Sequence, residues 1–238
     1  MSNKFTIFGA SAFADQIIYF EPGLHNMRKF FTTILILSSF SATVYSQTKG
    51  YVELGANLGY NLSNVAVNPY TSNYSFRSGF NLGVSGEYYF SEKWGIAAKL
   101  LYDEKGWNDG FIYFLNQPKQ TTNYQLNYIT VPIMAALHFG KTKNWYARAG
   151  FYTGFLLDAK ETSANTNLKA IFNGVDFGGA AAIGVKFHLT DKVKFFVESD
   201  AQTGAKAIFS GNSADEIFGL DARNYRIGIN FGVNFPLK

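Results

Sequence analysis

The chain carries three histidines and no cysteine, so a thiolate nucleophile and a Cys-bound zinc are excluded. Hydrolysis through a hydroxyl or a carboxylate needs a positioned base. Beyond the N-terminal region only His138 and His188 offer one, and each stands just before a short polar turn. That placement puts both at the same end of two non-adjacent strands, where each reads as a rim residue held by polar neighbours. Asp215 and Glu216 are adjacent in a polar stretch and read as a solvated loop pair. No His/Asp group has ligand spacing. The sequence therefore assigns no catalytic, metal or cofactor-binding residue and predicts a non-enzymatic protein.

A second set of residues has clearer spacing. Glu53, Glu87, Lys99, Asp103, Lys105, Arg148, Asp158, Asp176, Lys186, Lys194, Glu198, Asp200 and Arg226 fall on one parity of segments that alternate apolar and polar. Seven acids against six bases in a narrow space would have to pair. The expectation is an ion-pair network filling a lumen. A charged ion path is the alternative, and it would be favoured by a constriction of one sign.

Those positions need elements with unlike faces, and a period of two means strands. In Tyr51–Asn61, Val52, Leu54, Ala56, Leu58 and Tyr60 oppose Glu53, Gly55, Asn57, Gly59 and Asn61. The same alternation recurs over about 80–90, 94–103, 128–139, 145–158, 175–188, 193–200 and 225–235, giving eight strands. Three connectors are short: Ser91-Glu92-Lys93, Gly140–Lys143 and Thr190-Asp191-Lys192. Four are long and polar: about Leu62–Arg77, Trp107–Thr121, Glu161–Ile171 and Ala205–Asp221. Short turns at one end and long loops at the other are the habit of outer-membrane barrels, with the short turns periplasmic. Tyr88, Phe90, Trp94, Phe139, Trp145, Phe187, Phe195 and Phe235 sit on the apolar parity beside the short turns, where a membrane girdle belongs.

The composition fits such a wall. Of 238 residues 47% are hydrophobic, 18% aromatic and 16% charged, yet the mean hydropathy is only -0.05. A polytopic helical membrane protein is excluded, and the alternating faces of a transmembrane barrel average to that value. A soluble β-sandwich or lipocalin-like barrel is the competing fold, and the girdle aromatics count against it. The N-terminal part reads separately. Arg28 and Lys29 precede an apolar run at Phe30–Phe40, and small residues lead to an expected cleavage after Ser46, a signal-peptide pattern over 27–46. Residues 1–26 read as a mis-assigned upstream extension. The remaining 192 residues, 47–238, carry a formal charge of about +3, too mild to suggest nucleic acid.

Two motifs carry a resemblance. Tyr102-Asp103-Glu104-Lys105-Gly106 closes one strand, and Asn127-Tyr128-Ile129-Thr130-Val131-Pro132 opens the next. This arrangement resembles the PorT-like outer-membrane β-barrel family of Gram-negative bacteria. The resemblance implies an all-β, eight-stranded antiparallel up-and-down barrel integral to the outer membrane, and its namesake is associated with protein secretion. It assigns no site residue. The expected partners are outer-membrane lipid, the barrel-assembly machinery during biogenesis, and a protein met by the outer loops. Asn68–Tyr74 and Phe111–Leu115 are the aromatic loop stretches placed for such contacts. The expected role is structural or surface interaction, including an accessory part in secretion, with a narrow pore and an outer-membrane hydrolase as alternatives. Pro132, which cannot donate to a ladder, predicts a bulge or bend.

Overall fold

The computed structural model describes residues 50–68, 74–112, 120–163, 165–210 and 221–237. The expected signal peptide and upstream extension, most of Asn68–Tyr74, Tyr113–Leu115, Asp215 and Glu216 lie outside those residues.

Alternating sequence makes alternating strands: β1 (Tyr51–Asn68), β2 (Ser75–Tyr89), β3 (Trp94–Ile112), β4 (Gln120–Phe139), β5 (Trp145–Glu161), β6 (Thr166–Asn167), β7 (Val175–Thr190), β8 (Val193–Gly204) and β9 (Asp221–Leu237). The eight long strands pair antiparallel in chain order, and β1 pairs with β9 to close the ring. β6 is a two-residue attachment on the edge of β5. Closure leaves the ladder satisfied from within, which a sheet in lipid requires. The short turns are built by their own side chains. Ser91 Oγ accepts from the Lys93 and Trp94 N–H groups, and Thr190 Oγ1 accepts from the Lys192 N–H.

The register fixes the width. Partners run from Leu54 through Gly86, Ala98, Ile133, Phe151, Gly179, Thr203 and Tyr225 to Asn64, so one circuit returns to β1 ten residues on. Eight strands with that stagger tilt by about 41° and give a backbone radius of about 8 Å. Such a bore is filled by its own side chains.

The walls are inverted relative to a soluble barrel. Leu58, Leu82, Ile96, Ile133, Phe151 and Ile183 are exposed on the outside, whereas Arg226, Lys105, Lys186 and Glu53 are fully buried within. The residues beside the short turns all face outward: Tyr88, Phe90, Trp94, Phe139 and Phe235 are exposed, and Trp145, Phe187 and Phe195 are half-buried. A second aromatic row lies ten residues along the same faces, pairing Phe80 with Phe90, Phe155 with Trp145, Phe177 with Phe187 and Tyr225 with Phe235. At this tilt ten residues rise about 25 Å, the height of a barrel's apolar band.

Above the second row the polarity reverses. Arg77, Glu104, Gln125, Asn127, Asp158 and Lys160 now face outward. Inside, Val65, Trp107, Tyr124, Leu126, Tyr128, Leu156, Ala159 and Ala222 form an apolar cluster with Phe172 and Ile208 from the connecting segments. Water surrounds this part of the wall, so the apolar residues turn inward. The strands accordingly run further than the alternation suggests. β1 reaches Asn68 and β2 begins at Ser75, where a loop over Leu62–Arg77 was expected; β3 reaches Ile112 and β4 begins at Gln120, where a loop over Trp107–Thr121 was expected.

Pro132 departs from expectation. The β3–β4 register is the same on both sides of it, and at this point the ladder lacks the pairs opposite Val131 and Pro132. The missing N–H interrupts bonding without shifting the strand. The bulge nearest to it along β4 lies between Asn127 and Tyr128 against β5.

Candidate functional site

Inward positions on seven of the strands meet across the bore. Near the short turns, Glu53 on β1 is held by Lys194 on β8 and by Lys186 Nζ on β7 at 2.5 Å. Lys186 also reaches Glu87 on β2 at 3.0 Å, and Arg148 on β5 binds the same carboxylate oxygen at 2.6 Å. Arg148 uses its other terminal nitrogen for Glu198 on β8, at 2.6 Å, and Glu198 ends on Lys99 of β3. The chain thus alternates in sign throughout: Lys194, Glu53, Lys186, Glu87, Arg148, Glu198, Lys99.

A second chain continues toward the outer end. Asp200 on β8 receives Arg226 of β9 at 2.6 Å, and Arg226 Nε lies 3.1 Å from Asp103 on β3. Lys105 lies 4.0 Å from Asp103 and 3.3 Å from Asp176 on β7. This run also alternates: Asp200, Arg226, Asp103, Lys105, Asp176. The first chain holds four bases and three acids, the second two bases and three acids, so their formal charges cancel.

Burial makes that pairing obligatory, because a carboxylate or ammonium taken from water alone costs several kcal/mol. Tyrosines and amides satisfy what the ions leave. The Tyr89 hydroxyl donates to Glu53 at 2.9 Å, and the Tyr152 hydroxyl and Asn224 amide donate to Asp176 at 3.0 and 3.1 Å. Asn61 donates to Asp103 and Asn230 to Asp200, both at 2.9 Å. Lys105 lies over the Tyr152 ring at 4.4 Å and Arg148 over the Tyr146 ring at 4.2 Å. The bonds cross the bore, tying β3 to β8, β5 to β2, β7 to β1 and β9 to β3. Glycines on the wall give these side chains room: a Cβ at Gly184 would stand 2.4 Å from the Tyr146 ring.

Of the thirteen charges expected in the lumen, these chains contain twelve. Asp158 is the correction. The register passes from Tyr128↔Leu156 to Asn127↔Asp158, so Leu157 is an extra residue that reverses parity. Asp158 therefore faces outward beside Lys160, 3.0 Å away. Removing it turns seven acids against six bases into six against six. The lining tyrosines and asparagines were on the right parity in the sequence but carried no formal charge to single them out. The apolar cluster at the outer end was missed, since it breaks the inside-polar rule.

His138 is buried, with Nε2 2.6 Å from Glu87 and its ring beside Tyr89 and Tyr146. Its described side-chain contacts are a carboxylate and two phenol rings, with no Ser or Thr hydroxyl among them. His188 is half-buried at the same end. Among the described residues no group of three or more His, Asp or Glu is placed to hold a metal ion.

A closed ring of eight tilted strands, apolar outside for about 25 Å and charged within, is a transmembrane β-barrel. The chain belongs to the outer membrane protein beta-barrel domain family, whose model matches residues 45–210, and it is integral to the outer membrane. No curated protein matches the sequence. Similar solved structures include OprG from Pseudomonas aeruginosa, at 12% identity over 81% of this chain and 98% of that one, with a TM-score of 0.48. Neisserial surface protein A is 12% identical over 77% of this chain and 96% of its own, with a TM-score of 0.45. Ail from Yersinia pestis is 16% identical over 79% of this chain and 100% of its own, with a TM-score of 0.41.

Proposed function

We propose that this barrel is sealed and non-enzymatic, and serves a structural or surface-interaction role through its outer end. One observation carries the reading: two alternating ion chains cross the bore, and a buried apolar cluster lies above them. A solute would have to separate paired ions that are buried from solvent. The outer end offers a platform instead, since β3 continues ten residues beyond Tyr102 to Ile112, a rise of about 25 Å. The motifs at Tyr102–Gly106 and Asn127–Pro132 support the finer reading of a PorT-like barrel accessory to secretion, with a protein partner at the outer strands. Lipid and the assembly machinery are its partners in the membrane.

Proteoliposome swelling in isotonic small sugars and amino acids tests the seal. Vesicles with the folded barrel should swell no faster than protein-free vesicles. Faster swelling that scales with protein would replace this reading with the narrow pore.

A further inference from the structure

The three short turns form a charged rim directly beneath the girdle that contains Trp94 and Trp145. Lys93, Lys141 and Lys192 are exposed there, one on each turn. Lys143 is engaged by Glu92 at 2.5 Å, and this hydrogen bond holds the Glu92 carboxyl below its usual range. That pair is internally neutral, which leaves Asp191 as the other exposed acid of the described turns. The described turns thus keep a net charge of about +2 from three lysines and one aspartate. The Lys143–Glu92 pair fastens two of the turns together, and the His138 backbone N–H at the end of β4 donates to the Lys93 carbonyl at 2.7 Å. Lys93 and the Lys141 turn therefore sit side by side above adjoining strands.

We propose that this rim is a binding surface for anionic phospholipid headgroups of the inner leaflet. The girdle aromatics fix the height at which the headgroups begin. Lysines one to three residues beyond that line have stems long enough to lie along the wall and hold the ammonium at phosphate level. Each such cation attracts anionic lipid within about one Debye length. Three of them around the rim retain anionic lipid in the shell around the barrel.

The tryptophans make the inference measurable. Trp94 and Trp145 face lipid at this rim, while Trp107 is buried in the apolar cluster at the opposite end. Lipid-borne bromine therefore quenches the rim pair selectively. The full barrel is folded into phosphatidylcholine vesicles containing brominated phosphatidylglycerol, and separately brominated phosphatidylcholine, at equal mole fraction. Quenching should indicate enrichment of the anionic lipid by at least about threefold. Enrichment should fall to parity in the triple variant Lys93→Gln, Lys141→Gln, Lys192→Gln and in high salt, and persist in the corresponding triple Lys→Arg variant. The heat-dependent gel shift verifies that each variant is folded. Equal quenching by the two lipids in the wild type, or unchanged enrichment in the folded Gln variant, overturns the proposal. Neither result bears on whether the lumen is sealed.

Discussion

Substituting Glu87→Gln removes one charge and almost no volume. Glu87 accepts from His138 and Arg148 at 2.6 Å and from Lys186 at 3.0 Å, and it is the middle anion of the longer chain. Its loss leaves Lys186 with Glu53 and Arg148 with Glu198, and raises that chain's formal charge from +1 to +2. Breaking one partner out of a buried ion pair costs about 3–5 kcal/mol, because the remaining charge stays dehydrated. Asp158→Asn is the control. Its carboxylate also pairs with a cation, Lys160, but outside the wall, where such pairs contribute within about 1 kcal/mol. Urea unfolding in vesicles measures both, with the denaturant slope checking that the folded state is unchanged. The double variant Glu87→Gln, Arg148→Met removes both partners and should be more stable than the sum of the single losses by at least about 1 kcal/mol. Equal costs for Glu87→Gln and Asp158→Asn, or simple additivity of the double variant, would refute the reasoning that the lumen ions are interdependent.

Trp107→Ala, which removes the ring stacked 4.6 Å from Tyr124, should cost about 3–5 kcal/mol and raise hydrogen exchange at the Ile208 amide. Exchange at Ile208 no faster than in the wild type would detach that segment from the cluster. Gly184→Ala should destabilise the barrel by about 1–3 kcal/mol through its clash with Tyr146, whereas Gly174→Ala, which meets nothing within 4 Å, should change stability by less than about 0.5 kcal/mol. The same urea titration separates the two, and matching midpoints would remove the argument from wall packing.

The membrane-spanning zone was legible because one physical rule governs it. Lipid outside and ions inside impose period-two alternation, and counting parity from Glu53 to Arg226 singles out twelve charges that the structure buries inside the ring. Asp158 was misplaced because Leu157 is a bulge, and one inserted residue leaves no mark in a hydrophobic pattern. The strand extensions were hidden for a different reason. Trp107, Tyr124 and Leu126 are inward and apolar, and Arg77, Glu104 and Gln125 are outward and polar. The alternation persists there with its sense reversed, so a reading tuned to lipid outside took it for loop. The partners within the lumen were beyond sequence as well. That Arg148 spans Glu87 and Glu198 depends on a ten-residue stagger, which only the assembled register reveals.

The seal itself is most directly tested by ion current. If the proposed sealed reading holds, purified, folded wild-type barrel inserted into planar bilayers should carry no stable current above the bare membrane, because a passing ion would have to part the paired charges between Glu53 and Asp176. Reproducible unitary conductance from the wild-type barrel would contradict the account.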